Sequence, residues 1–363
     1  MMTEKQFYHV QRAVLILAVG LIVFGYTGPN GVFNFLEQAP DVFFYPQSII
    51  ATVTTAGSSL LMMALGAQQL RQPRYRLAQL IRLILFIIGG ITLFSFVFYV
   101  EEVFLTRVVI RFSFSGYLAT LAEAPDSFYY VIYEILGFFV TLPLLRILAT
   151  HVRAIDIKYL FWIQLIFIGL IPILLYYTGI TTIDITPPIA ITNGCYFTLM
   201  GFWLSQRNFI RRITREQLLI AWLLTFGCYA VMISTIMYQA NFTHSYDAIG
   251  HLPFSQTLQA IPCLTVWVTV ATRVLNKTKL KAPKKYNLVK MSYAVLLMTG
   301  VVLSPLQFIS QGLRPLIGIW WSGLIWVLCT LILSYVIVIG LQYVPWFQKF
   351  FPNLFYNPTI NKG

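Results

Sequence analysis

Ten apolar stretches of about 20 residues recur along the chain, and short polar segments separate them. Because a helix needs about 20 residues to cross the hydrocarbon core of a bilayer, each stretch predicts one membrane-spanning helix. The sequence therefore predicts an all-α, polytopic integral membrane protein that forms a single domain over residues 1–363. The predicted spans cover approximately residues 12–28, 47–68, 78–100, 128–149, 158–177, 187–206, 217–238, 253–274, 288–310 and 315–343.

The first stretch also resembles the apolar core of a secretory signal peptide, since basic residues precede it. No A-x-A-like cleavage site follows in "VFGYTGPNG", so we expect a retained helix. The composition agrees with a membrane protein, because 58% of the residues are hydrophobic and only 10% are charged.

The basic residues collect on one side of the predicted spans. When the N-terminus is assigned to the cytoplasm, only Arg107, Arg111 and Arg314 of the 25 lysines and arginines fall outside. Such asymmetry is expected from the positive-inside rule, so both termini are predicted to be cytoplasmic. The net charge of +13 is then a consequence of topology, and we expect membrane lipids rather than nucleic acid as the partner.

Glu134, in "FYYVIYEILGFF", is the deepest carboxylate of the predicted spans. Ionisable residues inside a bilayer are costly and often functional, so Glu134 is a candidate general base, proton relay or ligand for a hydroxylated substrate. A structural ion pair with one of the outer arginines, Arg107, Arg111 or Arg314, is the alternative. These arginines are equally candidates for an acceptor site at the outer face.

The predicted outer loop "THSYDAIGH" spaces His244, Asp247 and His251 three and four residues apart. Two imidazoles and a carboxylate within one helical turn suit general-base chemistry or zinc, although an ordinary solvated loop has the same composition. The four cysteines lie in apolar sequence without ligand spacing, so we predict no metal site.

Two arginine-containing segments flank the third predicted span. In "RQPRYRLAQLIR", Arg74, Arg76 and Arg82 are candidates, together with Arg12, for binding the phosphates of an acyl-CoA, or else they contact lipid headgroups. In "EEVFLTRVVIRFSF", Arg107 and Arg111 are four residues apart, which predicts either an interfacial helix or an extension of the third span.

Several segments together resemble the acyltransferase family 3, ten-span membrane enzymes that O-acylate cell-surface and exported carbohydrates. "HVQRAVLILAVGLIVF" is similar to the family's first span, and "LLMMALGAQQLRQ" to the second, with Gly66 at the family's glycine. "RYRLAQLIRLILF", "FYYVIYEILGFFVTLPLLRILA", "CYFTLMGFWLSQRNFIRR" and "MSYAVLLMTGVVLS" resemble the third, fourth, sixth and ninth spans. The resemblance implies a multi-pass protein of a bacterial plasma membrane, with acyl-CoA as donor substrate, a carbohydrate acceptor and no bound cofactor.

The chain departs from the family at the catalytic position. Family members usually carry a histidine eleven residues after the first-span arginine, where this chain has Val23, and a second histidine where it has Thr299. An imidazole can take the proton of a sugar hydroxyl, and valine cannot.

Three interpretations follow from the sequence. The chain is an acyltransferase that uses Glu134 or the histidine-containing loop as base, a catalytically inactive partner in envelope polysaccharide synthesis, or a transporter or flippase of lipid-linked or carbohydrate substrates. A polar tunnel beside Val23 would favour catalysis, and aliphatic packing there would favour the inactive partner.

Overall fold

The computed structural model describes most of the predicted spans. The described residues are 3–25, 44–71, 77–105, 113–123, 130–178, 193–206, 210, 213–243, 257–276, 288–303 and 305–345. These residues form helices and contain no strand. Seven helices among them are long and apolar enough to cross a membrane, or eight if one bent pair counts as a single span. An all-α fold with several helices long and apolar enough to cross a membrane is thereby confirmed for the described residues, whereas ten spans and cytoplasmic termini stay predictions.

The described helices are numbered here in chain order. They are α1 (Glu4–Phe24), α2 (Phe44–Thr54), α3 (Ala56–Gln69), α4 (Leu77–Leu105), α5 (Phe114–Glu123), α6 (Tyr130–His151), α7 (Ala154–Tyr177), α8 (Asn193–Gln206), α9 (Arg215–Thr243), α10 (Ala260–Leu275), α11 (Leu288–Leu303) and α12 (Gln307–Leu341). Helix α7 contains a π-helical segment, Gln164–Leu170.

Polar residues set the first residue of several helices. The Thr3 hydroxyl accepts from the backbone N–H of Gln6, whose side chain accepts from the N–H of Thr3, so both partners cap α1. Thr214 and Gln217 make the same pair of hydrogen bonds before α9. These capping boxes satisfy N–H groups that have no partner inside the helix, which fixes where each helix begins.

Contacts divide the chain into two compact units. The first contains α1, α2, α3, the end of α6 and all of α7–α10, and comprises Met1–Gly25, Glu37–Pro73 and Leu142–Lys284. Within it, α3 packs closely on α8 and α1 packs on α3 and α10. Its most deeply buried side chains include Leu60, Leu61, Met63, Leu204 and Trp267. The prediction of a single domain over the whole chain stays a prediction.

The second unit contains α4, α5, the beginning of α6, α11 and α12. Tyr293 of α11 donates from its hydroxyl to the carbonyl of Ile87 in α4 at 3.4 Å. Trp326 of α12 donates from its indole nitrogen to the carbonyl of Leu303 at 2.9 Å. Polar groups of buried aromatic side chains thus bond to helix backbone within the unit, as their burial requires.

The C-terminal helices are broken at other places than the sequence predicted. The predicted ninth span, 288–310, is interrupted after Leu303, and the chain bends by 69° between Met291–Leu303 and Gln307–Gly318. Pro305 lies at the bend, where a missing N–H and a fixed φ prevent a continuous helix. A second break lies inside the predicted last span, at Gly318, whose φ is +79°. Neither break coincides with a limit of the predicted spans.

Two predicted spans are described only in part. Helix α8 has 14 residues and α10 has 16, and residues 187–192 and 253–256, at the beginnings of these two predicted spans, lie outside the described part of the chain. Helix α4 continues past the predicted end of the third span to Leu105, and α5 follows as a separate ten-residue helix packed on α4. Arg107 and Arg111, on which the interfacial prediction depended, lie between these helices, outside the described residues.

Candidate functional site

Helix α1 carries the first of the sequence-predicted positions. Arg12 is exposed, and no hydrogen bond or ion pair involves it among the described residues. Val23, about three turns further along, is completely buried. Val19 and Ile22 beside it are at most 3% exposed, and a β-carbon added to Gly57 of α3 would come within 3.0 Å of Ile22. The position that resembles the family's histidine therefore has no accessible surface.

The predicted donor-binding arginines are not brought together in the described part of the chain. Arg74 and Arg76 lie outside the described residues. Arg82 is exposed near the beginning of α4. The assignment of these side chains to an acyl-CoA site stays a prediction.

Arg71, which was not among the candidates, makes a defined contact at the end of α3. Its guanidinium carbon lies 4.5 Å from the ring centroid of Phe7 in α1, a cation–π geometry. Partial burial lowers the pKa of Arg71, and Glu4 nearby opposes that effect. An arginine side chain stays protonated in proteins. The cation–π contact between the end of α3 and α1 therefore carries a permanent positive charge.

A buried polar cluster lies at the same ends of α1, α3 and α6. The side-chain amide of Gln11 donates to the amide oxygen of Gln68, and both side chains are less than 10% exposed. Arg146 of α6 donates to the backbone carbonyl of Gln69 at 2.9 Å. Because buried polar groups need partners, these bonds fix the three helix ends relative to one another. In the sequence, Gln68 and Gln69 stand out as two polar residues after an apolar run. This pattern alone does not predict which residues they contact.

A second buried contact lies where α2 ends and α3 begins. The Gln259 side chain donates to the Thr52 carbonyl at 2.8 Å and to the Thr55 hydroxyl at 2.9 Å. Cys263, one turn further, lies 3.8 Å from the carbonyl of Ala56. The polar residues of the second and eighth predicted spans thus act in helix packing.

Glu134 lies on the exposed side of α6, in the second unit. Among the described residues, no hydrogen bond or ion pair involves its carboxylate. Arg107 and Arg111 are outside the described residues, and Arg314 is half-buried in α12 with contacts of its own. The functional roles predicted for Glu134 therefore stay predictions. The alternative, an ion pair with an outer arginine, is not observed among the described residues.

Two tyrosines join α5 to the helices next to it, α4 and α6, and α6 is the helix that carries Glu134. The Tyr133 hydroxyl donates to the carbonyl of Leu121 in α5 at 3.2 Å, and the Tyr117 hydroxyl donates to the carbonyl of Thr92 in α4 at 3.0 Å. The rings of Phe96 and Tyr117 meet edge to face, with centroids 5.5 Å apart. These contacts join α5 to α4 and to α6, and Tyr133 is the residue that precedes Glu134 in the chain.

The remaining predicted residues give no assembled catalytic group. His244, Asp247 and His251 lie outside the described residues. Thr299, at the position of the second family histidine, is buried and donates its hydroxyl to the carbonyl of Val295 at 2.7 Å. No group of three or more metal-ligating side chains occurs in the described part of the chain.

An apolar groove, which the sequence did not predict, lies in the first unit between α7, α8, α9 and α10. Its volume is about 390 Å³, within the range of roughly 300–1,000 Å³ that is typical of ligand sites. Lys158 is the only charged residue among those that line it. The side chains come from four helices that are distant in sequence, so no local pattern indicated the groove.

Comparisons with protein-family models, with curated proteins and with solved structures find no match to this chain.

Proposed function

We propose that this chain is an integral membrane protein of the acyltransferase-3 type that takes part in modifying cell-envelope carbohydrates without transferring the acyl group itself. The observation that carries the proposal is the complete burial of Val23 in α1. A general base has to come within about 3 Å of the hydroxyl that it deprotonates. A valine with no exposed surface can neither accept a proton nor contact a carbohydrate.

The close crossing of α3 and α8 supports the scaffold half of the proposal. Gly66 stands at the glycine of the family's second span, and a β-carbon added there would overlap the carbonyl of Thr198 in α8. Gly201 of α8, in the segment resembling the sixth span, approaches Met63 in the same way. Gly66, which stands at the family's glycine, thus has a packing role. A protein that kept the family's fold without its activity would keep this role.

An active O-acyltransferase is the second candidate, and Glu134 favours it. In that case the acceptor hydroxyl would attack the thioester carbonyl of acyl-CoA while the Glu134 carboxylate takes its proton. The new ester C–O bond would replace the thioester C–S bond, and CoA would leave as the thiol. A carboxylate in a long apolar helix with no ion pair among the described residues is a recognised sign of function in membranes.

An acyl-transfer assay separates the two candidates. The protein in lipid nanodiscs is incubated with labelled acyl-CoA and envelope glycan from its host, and label on the glycan is counted. The inactive-partner proposal expects no label above that of empty nanodiscs. In the host, deletion of the chain should alter glycan acylation, and wild-type and E134Q chains should restore it equally.

Transfer by the wild-type protein would contradict the proposal in favour of the enzyme. The enzyme candidate further expects E134Q to lower the transfer rate about 100-fold or more, because a general base contributes at least that factor. Glu216, an exposed carboxylate in the first turn of α9, offers the matched control, E216Q, which should transfer at the wild-type rate.

A further inference from the structure

The apolar groove of the first unit has a deeply buried floor. Met200 and Leu204 of α8 and Thr265 and Val268 of α10 line it, and each is less than 10% exposed. The Thr265 hydroxyl is already hydrogen-bonded to Thr225 at 3.0 Å. The floor therefore presents methyl and methylene groups, a surface that suits a hydrocarbon chain rather than a sugar or a nucleotide.

Aromatic side chains form one wall of the groove. Phe161 and Trp162 of α7 and Trp203 of α8 line it beside the floor residues. Ala221 of α9 is the smallest lining side chain and leaves room on the opposite wall. A hydrocarbon chain in such a groove contacts side chains on several sides. It is therefore held more firmly than a lipid chain that lies against the outer surface of one helix.

A positive charge lies at one end of the groove. Lys158 and Gln217 line that end, in the first two turns of α7 and the first turn of α9. No hydrogen bond or ion pair involves the Lys158 ammonium among the described residues, whereas Asp156 nearby is paired with Arg153 at 3.5 Å.

We propose that the groove binds an acyl chain of an anionic phospholipid, with the headgroup phosphate on the Lys158 ammonium. Apolar lining along the groove and a single cation at its end match the two parts of such a lipid. A zwitterionic phospholipid would fill the groove with the same chains but gain less at its end, since its headgroup is neutral overall. The assignment is independent of acyl transfer.

Quenching of tryptophan fluorescence by brominated lipid chains tests the proposal, because Trp162 and Trp203 line the groove. The full chain is placed in nanodiscs of phosphatidylcholine with a minor fraction of phosphatidylglycerol, and bromine is carried by the chains of one lipid or the other. We expect brominated phosphatidylglycerol to quench more than its share of the lipid. The excess should disappear in the W162F/W203F double variant and in A221F, which fills the groove.

Removal of the charge tests the headgroup contact separately. K158Q should lower the preference for phosphatidylglycerol about two- to fivefold, the effect of one partly exposed ion pair. Since Lys158 is exposed, this variant tests the proposal even if A221F fails to fold. Exposed matched controls are R273Q at the end of α10 and A230F on α9, and both should keep the excess quenching.

Two results would overturn the assignment. Equal excess quenching in wild-type and A221F protein would place the lipid outside the groove. Loss of the excess on addition of palmitoyl-CoA, but not of unbrominated phosphatidylglycerol, would assign the groove to an acyl donor instead.

Discussion

Gly66 and Gly201 set how closely α3 and α8 pack. Each glycine faces the backbone of the other helix, at Thr198 and Met63 respectively, so the two contacts are reciprocal. Without a hydrophobic effect between helices in lipid, close backbone approach at small residues is a main source of association. The pair therefore stabilises the first unit through van der Waals contact over the whole crossing.

Replacement of Gly201 by alanine should destabilise the protein by about 1–3 kcal/mol, because the added methyl group forces the helices apart. The measurement is the midpoint of thermal unfolding in detergent, followed by the loss of the monodisperse peak. Gly194 lies in the same helix with no atom within 4 Å of an added β-carbon. G194A should therefore unfold at or slightly above the wild-type temperature, and equal losses in both variants would contradict the packing role.

The sequence predicted that these positions lie in helices, but not which glycine is in contact. Gly194 and Gly201 are alike in any local pattern, and only the position of α3 distinguishes them. Gln11 and Gln68 are likewise 57 residues apart, so their hydrogen bond depends on a tertiary arrangement that hydropathy does not encode. Val23 is a similar case, since it is completely buried whereas Ile16 and Leu17 of the same apolar run are exposed, a difference that depends on which face of α1 meets other helices.

Gln259 joins a third helix to the break between α2 and α3. Its amide donates to the Thr52 carbonyl, which also accepts from the Thr55 hydroxyl, and to the Thr55 hydroxyl itself. Since Thr55 lies in the middle of one predicted span, 47–68, the sequence indicated a single continuous helix there. The polar residues were visible, but their partner more than 200 residues away was not.

A double-mutant cycle measures this contact. Q259L and T55V should each destabilise the chain, and their effects should be coupled by about 0.6 kcal/mol, with an upper bound near 1.7 kcal/mol. The Thr150 hydroxyl bonds within its own helix, to the Ile147 carbonyl, so T150V offers a control. Its effect should add to that of Q259L, and additivity of Q259L with T55V as well would show that the observed bond contributes no coupling.

The breaks at Pro305 and Gly318 explain why the last two spans were predicted with the wrong limits. A hydropathy window detects apolar composition, and Met291–Leu303, Gln307–Gly318 and Trp321–Leu341 are all apolar. A hydropathy window does not detect a change in the direction of the helix axis. A helix that bends by 69° contributes the same letters as one that continues straight across the bilayer.

The number of spans decides whether the two ends of the whole chain share a side of the membrane. Ten or eight spans place both termini together, and seven place them apart. Charge favours an even number, because the segments before α1 and after α12 both lie on the basic side of the predicted topology. The prediction depends on the excess of lysine and arginine over the whole chain, so no single helix tests it.

Labelling of single cysteines in intact cells tests it directly. In a chain whose four cysteines are replaced by alanine, T3C, R153C, T178C and Y343C lie at the beginning of α1, between α6 and α7, after α7 and after α12. A membrane-impermeant maleimide should label only T178C until the cells are permeabilised, because only that position lies on the side with few basic residues. Permeabilised cells control for access. If Y343C reacts in intact cells while T3C does not, the number of crossings is odd and the two termini lie on opposite sides.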